Sequence, residues 1–205
     1  MAHAGGPVHH AGRKSAAWPK SGSLDMAPPF AFLQGWPLRG LVFAILATIA
    51  GLVMLFRLGP LDDVLRTRVP GGILAFEFAW TGEAAEAILS AWRGLEPVAI
   101  LQTRWDFLFL LTYPVALSVA CVMLSDAPAN PVAMIGVFVA WAVLAAVPLD
   151  AMENLAMLWM LEHGAREGLA KLATGCAGVK FTVLLAAVGY LLLAGAVTLW
   201  QRLST

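Results

Sequence analysis

The sequence predicts an all-α integral membrane protein: a four-helix transmembrane bundle with a small strand and amphipathic-helix element in its first loop. Two observations carry that prediction. Only 13% of the 205 residues are charged, against about a quarter in a soluble domain; the chain is 60% hydrophobic, with a mean hydropathy of +0.78. Four stretches, 40–56, 107–125, 127–149 and 181–201, contain no Asp, Glu, Lys, Arg or His. Each is long enough, or nearly so, to cross a hydrocarbon layer of about 30 Å. Spans are therefore expected over about 40–57, 104–125, 131–161 and 178–201, within one domain over 39–202.

Residues 1–38 are rich in Gly, Ala, Pro and Ser without a period, which reads as a polar, flexible tail. His3, His9 and His10 lack an acid or cysteine nearby to complete a metal site. The first apolar segment starts near residue 40, behind Arg13, Lys14, Lys20 and Arg39. A cleavable signal places its apolar region nearer the start, so the first span reads as a retained anchor.

After Arg57, "RLGPLDD" reads as a Gly-Pro break before Asp62 and Asp63. The first-loop element, 71–93, follows. Leu74, Phe76, Phe78 and Trp80 alternate with Ile73, Ala75, Glu77 and Ala79, which is the period of a strand. Thr81 is placed to N-cap a helix, with Glu83 and Glu86 near its positive end. Ala85, Ile88, Leu89 and Trp92 then recur at helical spacing, as on a helix lying at the membrane surface. A continuous interfacial helix over 73–92 is the alternative.

The second span contains Pro114, which kinks a helix. "SDAPANP" turns into a long third helix over about 132–162. At 1.5 Å per residue this exceeds a bilayer core, so its end projects, tilts or bends, with Pro148 as the bend. A charged loop containing Glu162, Arg166, Glu167 and Lys171 leads to the fourth span. Five Lys and Arg residues fall on the side of the termini and eight on the side of the first and third loops. That leans towards loops inside but fixes no orientation.

The chemistry-bearing residues gather in "VPLDAMENLAML" (147–158) and the helices around it. A tight hairpin near residue 128 brings Asp106 and Asp150 to one depth, with Arg104 level with Glu153 and Asn154. A second turn near 169 brings Lys180 within one turn of Asn154. Asp150, Glu153, Asn154, Met157 and Leu161 share one helical face. The expected polar cluster is Arg104, Asp106, Asp150, Glu153, Asn154 and Lys180, with Tyr113 two turns deeper and Glu77 on the covering loop. Acids inside a membrane are costly and need partners. Two readings follow: a latch that fixes the bundle, or a pocket that moves a proton or holds a polar head group. In an enzyme, Asp106 or Glu153 would be the acid/base, with Tyr113 as a further candidate and Asn154 and Lys180 orienting the substrate.

Other chemistries are set aside. The only histidine outside the tail is His163, too few for an axially ligated haem. Hydrolase, phosphate-loop and dinucleotide motifs are lacking. Basic runs for nucleic acid are lacking too. Cys121 and Cys176 fall at opposite membrane faces and form no CxxC pair. No cofactor and no metal is called for. The methionines and tryptophans of the third helix, among them Met134, Trp141, Met152 and Trp159, read as lipid-facing or packing residues.

"FEFAWTGEAAEAIL", "WDFLFLLTYPVAL", "LDAMENLAML" and "GVKFTVLLAAVGYLL" together resemble a set of short bacterial four-span membrane proteins over about residues 40–200. The resemblance implies the four-span layout and a bacterial inner (cytoplasmic) membrane location, but brings no activity. The chain is also similar in outline to the emopamil-binding-protein-like group, which implies acids facing a central cavity; no residue is carried over from it.

The sequence leaves two functions. The first is a non-enzymatic membrane subunit, accessory or scaffolding, docked on other membrane protein subunits. The alternative is a membrane-embedded protein or enzyme for a bound lipid or isoprenoid. Acids beside an open cavity favour the second, and acids paired and closed favour the first. A proton pathway ranks last, because 115–124 and 132–146 carry almost no polar residues.

Overall fold

The computed structural model describes residues 26–33, 35–126 and 132–204, so the expected tail lies, up to residue 25, outside the described residues. Among the described residues four helices are long and apolar enough to cross a membrane, as the charge-free stretches predict. The first runs from α1 (Trp36–Val53) through a π-helical turn, Met54–Leu58, into α2 (Gly59–Arg66). The Gly-Pro break expected after Arg57 does not occur. In a regular helix a proline ring clashes with the carbonyl one turn back. Here the turn widens just before Pro60, with the Gly59 amide paired to the Met54 carbonyl, and the rod continues.

The first loop contains α3 (Ile73–Glu77) and α4 (Gly82–Ala91), and no strand. The alternation over 73–80 therefore misled, and so did the continuous-helix alternative. Gly71 and Gly72, both at positive φ, turn the chain instead. The Asp62 carboxylate then receives the first amide of α3, Ile73 N–H, at 2.7 Å. A Cβ on Gly72 would collide with that carboxylate. The Thr81 cap is as expected: its hydroxyl accepts the Ala84 amide at 3.1 Å. Trp80, at φ +52°, makes the sharp bend between the two helices.

The remaining spans are α5 (Glu96–Ser125), α6 (Ala133–His163) and α7 (Glu167–Leu203). α5 and α7 start earlier than the charge-free stretches do, because their first turns are amphipathic and stand outside the apolar window. α6 packs between α5 and α7, and α1 lies along α5; α1 and α7 make no extended contact. Gly136 lets α6 approach the buried Tyr190 of α7. At that end Arg39 pairs with Asp126 and gives its Nε–H to the Leu33 carbonyl at 2.7 Å. Cys121 and Cys176 are buried free thiols.

At the opposite end the loop helices sit on the bundle as a lid. Phe76 and Trp92, both fully buried, meet edge to face at 5.6 Å, and the Trp92 indole donates to the Leu65 carbonyl at 3.2 Å. They share a core with Ala85, Met157 and Met160. The amphipathic face of α4 is thus spent on the protein itself.

Candidate functional site

Beneath the lid lies the polar cluster. Asp150, Glu153, Asn154, Met157 and Leu161 are all buried, so the face read from helical spacing is the inner face of α6. Lys180 of α7 reaches in, with its Nζ 3.0 Å from Asp150 Oδ1 and 2.9 Å from Glu153 Oε1. The Tyr113 hydroxyl of α5 donates to Asp150 Oδ2 at 2.8 Å. Asn154 donates its side-chain N–H to Asp106 Oδ2 at 2.7 Å. Asp150 is thereby held from both sides, while Asp106 has only a neutral amide as donor.

Two details of the expected register are corrected. Asp106 faces Asn154, one turn beyond Asp150, because α5 ends at Ser125 and α6 begins at Ala133, which shifts the hairpin past residue 128. Lys180 sits level with Asp150 and Glu153 rather than residue 158, because only residues 164–166 separate α6 from α7.

Arg104 is not in the cluster. Its side chain is 65% exposed and its nearest acid is Glu162 at 3.8 Å. Asn154 faces Asp106 rather than Arg104, and Arg104, two residues from Asp106 and about 200° around the helix, points away.

Glu77 covers the cluster as expected, and the structure adds Thr174 and Gln102. Glu77, on α3, is driven into the cluster from above, with Oε2 3.7 Å from Lys180 Nζ. Thr174 of α7 fixes it there by donating its hydroxyl to the Glu77 carbonyl at 2.8 Å and accepting the Trp80 amide at 3.0 Å. Gln102 follows from helical spacing, four residues before Asp106 on the same face of α5; its amide N–H points to Asp62 Oδ1 at 3.4 Å. Asp62 also accepts from Arg66 Nε at 2.6 Å. Burial pushes the Glu77 carboxyl up to about 7; the Lys180 ammonium opposes that rise and Asp106 adds to it.

A cavity of about 520 Å³ adjoins these groups, within the size range of small-molecule sites. Glu77, Gln102, Asp106, Tyr113, Asp150 and Lys180 form its polar wall. Met54 and Leu58 on the first span, Phe109 on α5, and Phe181 and Leu184 on α7 form its apolar wall. On the first span it is bordered by the π-helical turn and α2, and across from them by Lys180, Phe181 and Leu184 of α7. Its mouth carries Asp62, Asp63 and Arg66. Among the described residues no group of three or more His, Cys, Asp or Glu is arranged to hold a metal ion; Lys180 fills the space between the acids.

Comparison with family models, curated proteins and solved structures gives no match.

Proposed function

We propose that this chain is a membrane-embedded binding protein for an amphipathic, lipid-like molecule. The head group rests on the acid cluster and the chain lies along the apolar wall. The observation that carries this reading is the cavity itself, which adjoins Asp106, Glu77 and Asp150 and has apolar side chains as its other wall. A latch that served only to hold the bundle would gain from closing that space, since filling it would add van der Waals contacts between the helices. The site also has the means for acid–base work on such a molecule: Asp106 bonded only to Asn154, and Tyr113 oriented by Asp150. The accessory-subunit reading rests on the polar tail and on every buried charge being paired, whereas Asp106 has only the Asn154 amide as donor.

The test is purification in a mild detergent followed by native mass spectrometry. The wild type is expected to carry one amphiphile per chain, and Leu184→Trp, which fills the apolar wall, is expected to lose it. If a protein partner co-purifies in constant ratio and both forms carry no small molecule, the pocket reading is wrong and the subunit reading stands.

A further inference from the structure

Three polar side chains on the cavity wall are short of a hydrogen-bond donor, although Glu77 Oε2 has the Lys180 ammonium 3.7 Å away. Gln102 is 3% exposed, and its Oε1 accepts no hydrogen bond. Its orientation follows from Asp62: turning the amide over would set its oxygen against a carboxylate. Glu77 is 8% exposed, and its Oε2 likewise accepts no hydrogen bond. Asp106 accepts one, from the Asn154 amide, and has no cation among its partners. Leaving such buried acceptors unmet is expensive, so the absent group is a hydrogen-bond donor.

Charge narrows the class. Glu77, Asp106, Asp150 and Glu153 surround a single cation, Lys180, which gives its hydrogen bonds to Asp150 and Glu153. The other cation at the cavity, Arg66, is engaged by Asp62. The site therefore has a surplus of carboxyl groups and no uncommitted donor with which to receive a phosphate.

We propose that the pocket selects a single-chain amphiphile headed by a primary ammonium group, whose three N–H bonds go to Glu77, Gln102 and Asp106. The chain leaves between the π-helical turn of the first span and α7, past Met54 and Leu184, into the bilayer. This rests on the reading of the cavity as a binding site for a lipid-like molecule.

The experiment compares three probes of equal chain length on the full chain in zwitterionic nanodiscs: dodecylamine, dodecanol and dodecyltrimethylammonium. Leu184→Trp serves as the reference for simple partitioning into the bilayer. Calorimetric titration is expected to show dodecylamine binding at least about tenfold tighter than either of the others, the difference made by one charge-assisted hydrogen bond. Glu77→Gln and Asp106→Asn are each expected to remove that preference; the ranking on the wild type stands without them should a variant fail to fold. Equal binding of the trimethylammonium probe, which has no N–H, would overturn the donor requirement. Equal binding of the alcohol would overturn the charge requirement. In both cases the lipid pocket survives. Binding of none of the three would overturn this proposal alone, because the co-purifying amphiphile reports independently on the pocket.

Discussion

Replacing Lys180 by methionine keeps an unbranched chain of similar length and removes the one cation from the cluster. Two charge-assisted hydrogen bonds are lost, at 3.0 and 2.9 Å, each worth about 1.5–3 kcal/mol. Independently, orphaning one member of a buried ion pair costs about 3–5 kcal/mol. The two routes agree on a loss of about 3–5 kcal/mol, a large share of a typical folding free energy. Part of the loss is recoverable by protonating the acids left behind, so it is expected to be larger at pH 8 than at pH 5. Lys180→Met combined with Glu153→Gln, which removes one orphaned charge, should lie above the single variant in stability. The assay is reversible unfolding in mixed SDS and dodecylmaltoside micelles, followed by the fluorescence of the eight tryptophans. A loss below about 1 kcal/mol at pH 8, the value of a solvated pair, would refute the idea that this lysine anchors the cluster.

Glu77 gives a second test, with the opposite sign to an ordinary carboxylate. Its carboxyl is raised from 4.5 to about 7 by burial, so the folded state prefers the protonated form. The associated stability is present below pH 4.5 and lost as pH rises through about 7, on the order of 3 kcal/mol in all. Lys180, Asp106, Asp150 and Glu153 are the charged groups that set that value. Glu77→Gln, a mimic of the protonated form, should flatten the pH profile of the unfolding midpoint; an unchanged slope would contradict the buried placement. Phe76→Ala removes a fully buried ring from the lid core, at about 3–5 kcal/mol. Trypsin should then cut faster at Arg68 and Arg93, and an unaltered digestion rate would mean the lid is held elsewhere. Gly136→Ala sets a Cβ against the Tyr190 ring and 3.0 Å from Ser125 Cβ, at about 1–3 kcal/mol. The Tyr190 hydroxyl is buried without a partner, so Tyr190→Phe should be neutral or stabilising alone and should rescue part of the Gly136→Ala loss in the same micelle assay.

The four spans were legible because a long charge-free run has few other fates. The inner face of α6 was legible because Asp150, Glu153 and Asn154 obey helical spacing and could not all face lipid. Thr81 was legible because an N-cap is a local interaction. What failed was azimuth and docking. Arg104 is two residues from Asp106, yet hairpin register says nothing about which side of α5 a residue occupies. The alternation over 73–80 is too short to separate a strand from two tight helices. The choice there is made by Asp62, eleven residues before Ile73, and by Gly71 and Gly72. The part Glu77 plays in the cluster depends on Thr174, nearly a hundred residues on, and no local pattern reports that. Pro60 was read as a break because nothing in the sequence announces a π-helical turn in front of it.

The most direct test of the pocket is to place a photoactivatable amino acid at Leu184, irradiate native membranes, and weigh the adduct. Leu184 borders the cavity from α7. The predicted result is a small amphiphile attached to that position and displaced by excess dodecylamine. A cross-link to another protein chain, with no small adduct, would contradict the pocket and make the acid cluster an internal latch.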